Sequence, residues 1–336
     1  MKDLDDLAAI RTIDVHDTRE VLAAFPLQCR DALAPRADRP LTGRRPRVIV
    51  IAGMGGSAAA GDLVAACAAD RVDVPVVVHR SYGLPAVATP EALLIAMSYS
   101  GDTAEVLSAL TTALEWRVPA LAVTAGGELA RLAEERRIPR VIVRGGLMPR
   151  MAVGHLLGDA EIAEALDEIS ALAAELGPER PTAVNEAKRL AAAIGDRLPA
   201  IYAGPETGAA AYRWKTDIEE NAKTFAVSGV LPEMNHNEIE AWRRPVAGGL
   251  HLIFLRDHDE APEIARRFAV LTGLIGGSAG GISTSWTRGK SRIARLLSLI
   301  YLGQWTSYYL ALLYDVDPWS VPLLEELKRR LGAPAP

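Results

Sequence analysis

The feature that most constrains the fold is a series of short apolar runs with no polar alternation: RVIVIAG (47–53), VPVVVHR (74–80), ALLIAMS (92–98), PALAVTA (119–125) and RVIVRGG (140–146). A strand with one wet face alternates apolar and polar residues, and these do not, so both of their faces must be covered. Helix-patterned stretches lie between them, among them MGGSAAAGDLVAACAA and TAEVLSALTTALEW. Strands alternating with helices predict an α/β fold, a parallel sheet flanked by helices on both faces. With 336 residues, 49% of them hydrophobic, the chain can build two ordinary domains or one large one.

The second half echoes the first. Strand signals return at PAIYAG (199–204), at 250–255 and weakly at 225–230. IAG at 51–53 and YAG at 202–204 each precede a loop and a helix pattern, and LLIAMSYSGD (93–102) has a counterpart in HLIFLRDHDE (251–260). This spacing predicts an internal duplication whose second copy keeps the strands and lacks the hydroxyl-rich loop. The expected organisation is an N-terminal helical segment (1–44), a first α/β subdomain (45–155), a helical linker (156–197) and a second α/β subdomain (198–336) ending in helices broken at DVDP. The run from Leu296 to Tyr314 has the length of a membrane span but carries Gly303, Gln304, Thr306 and Ser307, which predicts a buried helix.

Charge and cysteine content narrow the function classes. There are 37 basic and 42 acidic residues, a formal net charge of −5, with no basic stripe, so no nucleic-acid partner is expected. Cys29 and Cys67 match no metal-ligand spacing and fit a reducing compartment. The acidic start, MKDLDDLAAIRTIDVHD, has no apolar signal segment, and the expected location is the cytoplasm with no membrane partner.

Five stretches could carry chemistry. GMGGSAAAG (53–61) frees the backbone to approach a ligand before a helix start; it is equally the form of a tight strand-to-helix turn. It also fits a permissive dinucleotide fingerprint, but the next strand ends in His79 and Arg80 rather than the acidic residue that reading needs. SYSGDT brings Ser98, Ser100 and Thr103 to a strand end and a helix start. Capping by Asp102 or Thr103 uses one side chain. The remaining hydroxyls, with helix N–H groups, suit the oxygens of a phosphate. In RWKTDIEENAK (213–223), Glu219 and Glu220 stand at i,i+4 and i,i+3 from Lys223, the spacing of a solvated paired face. LPEMNHNEIEAW (231–242) flanks His236 with two asparagines, either of which could cap a helix. GGLMPRMAVG (145–154) places the single cation Arg150 in an apolar loop.

Taken together, GMGGSA, YGLP (82–85), SYSGDT, GGLMPR, WKTDIEENAK, PEMNHNE and SLIYLG resemble, in order from about residue 50 onward, the sugar isomerase (SIS) domain superfamily. The similarity is greatest to its bifunctional phosphoglucose/phosphomannose isomerase family. The resemblance implies two SIS subdomains, each a flavodoxin-like parallel sheet between helices, in a homodimer. It implies metal-independent aldose–ketose isomerisation of a sugar 6-phosphate, with no cofactor. Under it, Ser98, Ser100 and Thr103 hold the phosphate, while Gly56, Ser57 and Pro149 line the substrate site. Glu220 matches the base, Arg150 the arginine that stabilises the enediolate, and Lys328 a lysine that reaches the site from near the C-terminus. His236 matches the ring-opening histidine, donated across the dimer.

Three positions depart from the family pattern: Asp102 stands where asparagine is usual, AEV after Thr103 is less polar, and Met151 follows Arg150 where a small residue is commoner. A carboxylate at 102 turned inward would oppose a phosphate; turned outward as a cap it would not. The competing readings are a phosphosugar-sensing SIS protein without turnover, which needs the hydroxyl loop but not Glu220, His236 and Arg150 together, and a dinucleotide-dependent oxidoreductase.

Overall fold

The chain opens with three short helices, α1 (Leu7–Ile13), α2 (Thr18–Ala23) and α3 (Phe25–Asp31). The computed structural model describes residues 2–31, 37–41, 44–69, 71–143 and 162–332. The predicted strand–helix alternation follows: β1 (Val48–Ala52), α4 (Gly55–Ala68), β2 (Val76–His79), β3 (Ala92–Met97), α5 (Ala104–Trp116), β4 (Ala120–Thr124), α6 (Gly127–Glu135) and β5 (Arg140–Ile142). These strands form one parallel sheet in the order β2-β1-β3-β4-β5, the flavodoxin-like order.

The apolar runs explain themselves in this sheet. Val50, Ala52, Leu94, Ala96 and Ala122 face Val106, Ala109, Leu110 and Ala113 of α5 and Leu129 and Ala133 of α6. Ile51 points the other way, against α4, where Gly61 leaves room for it. Each fully buried Leu or Val in such a core stabilises the fold by roughly 1.5–3 kcal/mol. The buried residues of α5 recur at i, i+3, i+4 and i+7, and the helix stops at Arg117, whose left-handed backbone lets its N–H reach Ala113 O and Leu114 O.

The second half repeats the plan after α7 (Ile162–Leu176) and α8 (Glu186–Ile194): β6 (Leu198–Ala203), α9 (Gly208–Asn221), β7 (Val227–Val230), β8 (Leu250–Arg256), α10 (Pro262–Ile275) and β9 (Gly281–Trp286). All pairs are again parallel, in the order β7-β6-β8-β9, so the first four strands of each sheet share one winding. This is the duplication expected from IAG and YAG. The apolar pattern does not reveal β9: GISTSW is a half-exposed edge strand with little to bury. Three 3₁₀ turns (Glu233–His236, Glu238–Arg243, Pro245–Gly249) join β7 to β8.

Helices α11 (Arg292–Leu313) and α12 (Pro322–Gly332) close the chain. α11 is long and apolar enough to cross a membrane, but 94% of its most apolar window is buried inside the molecule. Its tyrosine hydroxyls are spent internally: those of Tyr301, Tyr308 and Tyr309 donate to Leu22 O, Asp14 Oδ2 and Leu176 O at 2.9, 2.9 and 2.6 Å. It is the buried core helix that its sequence predicts.

The chain divides into two compact units. One, built on the first sheet, comprises Ala24–Ser170 and Arg288–Ser298; the other, built on the second, comprises Met1–Ala23, Ala171–Thr287 and Leu299–Pro336.

Candidate functional site

In the first unit the chain winds from β1 outward to β2, then returns to place β3 on the other side of β1. Ala52 pairs with Ala96, so the loops leaving β1 and β3 emerge side by side at the point where the strand order reverses. Open α/β sheets bind ligands in that crevice. The loop after β1 carries Gly56 and Ser57, both buried, in the first turn of α4, which has no side-chain cap. Its leading amides are therefore left for solvent or a ligand.

The loop after β3 holds the three hydroxyls, and their bonding settles the capping question. Thr103 occupies the N-cap position of α5 but makes no capping bond; its hydroxyl lies 2.8 Å from that of Ser98. Ser98 Oγ also accepts from Gly101 N at 3.1 Å, and Ser100 Oγ from Asp102 N at 3.3 Å. Asp102 does not cap its own helix. Its carboxylate reaches the next connection and accepts from Glu128 N, in the first turn of α6, at 2.9 Å. Of the two orientations open to Asp102, the bonded one points to α6.

Gly101 is the residue this loop cannot exchange. Its φ is +81°, and a Cβ there would sit 1.9 Å from Gly126 O, a backbone atom. Gly101→Ala is expected to weaken binding of inorganic phosphate by about tenfold or more, through backbone strain and displacement of the loop. Titration calorimetry checks this; unchanged affinity would remove the loop from the site.

In the second unit Glu220 lies half-buried in the last turn of α9. The helix is held rigidly. Trp214 Nε1 donates to Leu299 O at 2.7 Å, and Asn221 Nδ2 to Ser307 Oγ at 2.9 Å. The pairing with Lys223 expected from spacing is not formed by Glu219, which instead takes Lys215 at 2.6 Å. The helix ends at Asn221, and Lys223 has left-handed backbone (φ 55°), so i,i+4 geometry no longer applies to it. Its ammonium donates to Asn221 O at 3.0 Å and Asp317 O at 2.5 Å.

His236 ends the first 3₁₀ turn after β7. Met234 and Trp242 on either side are buried against Tyr202 and the sheet, and Trp242 Nε1 donates to Tyr202 Oη at 2.9 Å. Between these anchors His236 is left exposed, and Asn237 supplies the cap, accepting from Glu238 N at 2.6 Å. α9 runs back along β6, so Glu220 lies toward the amino edge of the sheet, whereas His236 follows the carboxyl end of β7.

Lys328 lies on α12 and is exposed. Pro149 and Arg150 lie outside the described residues. Among the described residues no three His, Cys, Asp or Glu side chains group as metal ligands.

Known proteins share this plan. Residues 183–331 match the model of the bacterial phospho-glucose isomerase C-terminal SIS domain. A bifunctional phosphoglucose/phosphomannose isomerase of Caldicellulosiruptor bescii is 38% identical over 302 residues, covering 84% of this chain and 89% of that protein. One of Thermoplasma acidophilum is 34% identical over 290 residues, with 84% and 89% covered. Among solved structures, a glucose-6-phosphate isomerase-like protein of Thermus thermophilus superposes with a TM-score of 0.64 at 22% identity, covering 98% of this chain and 99% of that one.

Proposed function

The chain belongs to the bifunctional phosphoglucose/phosphomannose isomerase family, and from that premise we propose how its residues interconvert glucose 6-phosphate or mannose 6-phosphate with fructose 6-phosphate. It is an aldose–ketose isomerase. The observation that carries the phosphosugar reading is the meeting of the glycine loop and the hydroxyl loop at the strand-order reversal between β1 and β3.

In this reading Ser98, Ser100 and Thr103 hold the phosphate with the leading amides of α5, while Gly56, Ser57 and Pro149 line the sugar. The phosphate is remote from the reacting carbons and supplies orientation and binding energy. An imidazole exchanges protons near neutral pH, so His236 protonates the ring oxygen as the C1–O5 bond breaks and the O1 hydroxyl releases its proton to solvent, which opens the ring to the aldehyde. Glu220 takes the proton from C2 of the aldose, and the electron pair forms the C1–C2 double bond of an enediolate. The hydroxyl proton passes from O2 to O1, and the same carboxyl returns its proton to C1, so that the C2–O bond becomes the carbonyl of the ketose. The Arg150 guanidinium balances the enediolate charge, and Lys328 reaches the same site.

His236 serves the site of a second copy. What supports this is the family resemblance, in which the matching histidine is donated across the dimer, together with the exposure of His236 on this chain. A homodimer follows. Mixing an inactive Glu220→Gln chain with an inactive His236→Ala chain, by dissociation and reassembly, is then expected to restore roughly a quarter of wild-type activity, since half the dimers hold one intact site. No recovery in proven mixed dimers would return His236 to its own chain.

The overall assay follows fructose 6-phosphate formation from each aldose with excess chelator. Turnover of both sugars, unchanged by chelator, is expected; no turnover of either would end the isomerase reading, and loss on chelation would end the metal-free mechanism. We assign the protein to the cytoplasm. Neither cysteine is in a disulfide, and burial pushes the Cys29 thiol up to about 12, as suits a structural thiol in a reducing compartment.

A further inference from the structure

The loop after β3 does not stand alone. It is fastened along its length to the connection between β4 and α6. Ala125 N donates to Tyr99 O at 3.0 Å and Leu129 N to Gly101 O at 2.9 Å. Between these backbone bonds, Glu128 N donates to the Asp102 carboxylate at 2.9 Å, a side-chain bond within the seam. The backbones approach so closely that Gly101 and Gly127 nearly touch. The N-cap of α6 is Gly126, which has no side chain to cap it, so Asp102 is the remote cap of that helix.

We propose that Asp102 is a positioning residue of the phosphate loop: its carboxylate pins the Ser98–Thr103 hydroxyls in place through α6, and does so with a negative charge that opposes the bound phosphate. The inference rests on the reading of that loop as the phosphate site. Two effects of opposite sign follow from one side chain. The charge-assisted bond to Glu128 N orders the loop. The carboxylate is turned outward onto α6, but it follows Gly101 within the loop itself, so its charge still repels a dianion bound there through solvent, an effect that salt screens; the outward cap is less harmless than expected from sequence. Asparagine at 102 keeps an acceptor for Glu128 N and drops the charge; alanine loses both.

The test compares Asp102→Asn and Asp102→Ala by KM for fructose 6-phosphate and by competitive inhibition with inorganic phosphate, at low and high salt. Asp102→Asn is expected to bind both about two- to fivefold more tightly than wild type at low salt, with the gain shrinking as salt is added. Asp102→Ala is expected to bind about tenfold more weakly at either salt. In both variants KM carries more of the change than kcat, because the phosphate is remote from C1 and C2. A purely structural cap would leave the asparagine variant no tighter than wild type, and that ordering would overturn the proposal. So would an alanine variant that binds as wild type does, once circular dichroism shows it folded. Ser98→Ala and Ser100→Ala separate the two readings: if they weaken phosphate binding while the Asp102 variants do nothing, only the pin is wrong. If they too do nothing, the loop is not the phosphate site.

Discussion

Glu220→Gln is expected to lower kcat for both aldoses by about two to four orders of magnitude while sugar phosphate still binds. Glutamine has the length and shape of glutamate but no basic oxygen pair to accept a carbon-bound proton. The variant should also fail to exchange the C2 proton of glucose 6-phosphate with solvent deuterium, a step that precedes release of product. The fold should not change, because α9 is anchored elsewhere, by Trp214 on Leu299 O and by Asn221 on Ser307. Nuclear magnetic resonance of the exchanging proton and a calorimetric Kd for fructose 6-phosphate measure the two halves. Near-wild-type exchange in this variant would remove Glu220 from the base role.

The second large effect is on stability. Gly303→Ala is expected to destabilise the protein by about 3 kcal/mol and to lower Tm by roughly 6–12 °C. A Cβ at 303 would lie 2.4 Å from Cδ1 and Nε1 of Trp214 and 2.6 Å from Cε2. The ring has nowhere to go: Trp214 is fully buried and its N–H is committed to the carbonyl of Leu299, on the same helix as Gly303. The clash therefore loosens α9 from α11, and with it the support of Glu220. Trp214→Phe trims the indole at the clashing edge, so the double variant should be less destabilised than the sum of the two singles. A Gly303→Ala protein melting within about 2 °C of wild type would mean that α9 and α11 are not packed on this notch.

Much of the fold was legible because parallel strands covered on both faces must be apolar at nearly every position, a local property. VIVIA, ALLIAM and LHLIFLR all announce themselves this way, and the repeated IAG and YAG landmarks disclose the duplication. GISTSW does not, because an edge strand with one open side has no such requirement. The candidate site was legible in its residue types: hydroxyls at a strand end, one histidine between asparagines, a carboxylate late in a helix. Their partners were not. Glu219 pairs with Lys215 rather than Lys223 because the helix stops at Asn221, two residues before Lys223, and an i,i+4 expectation fails once its second partner lies past the helix end.

The alternation of buried strands and helices, the duplication and the family can be read from the chain alone, since they rest on periodicity and on motifs that are contiguous in it. Which residues meet is set by packing. Asp102 turns to Glu128 because β3 and β4 are neighbours in the sheet, and Trp242 bonds to Tyr202 because the turns after β7 fold back over β6. The physical reason is the same in both cases. Burial and propensity act on each residue where it stands, whereas a hydrogen bond or a shared substrate needs two distant segments brought together, and only the packed chain does that.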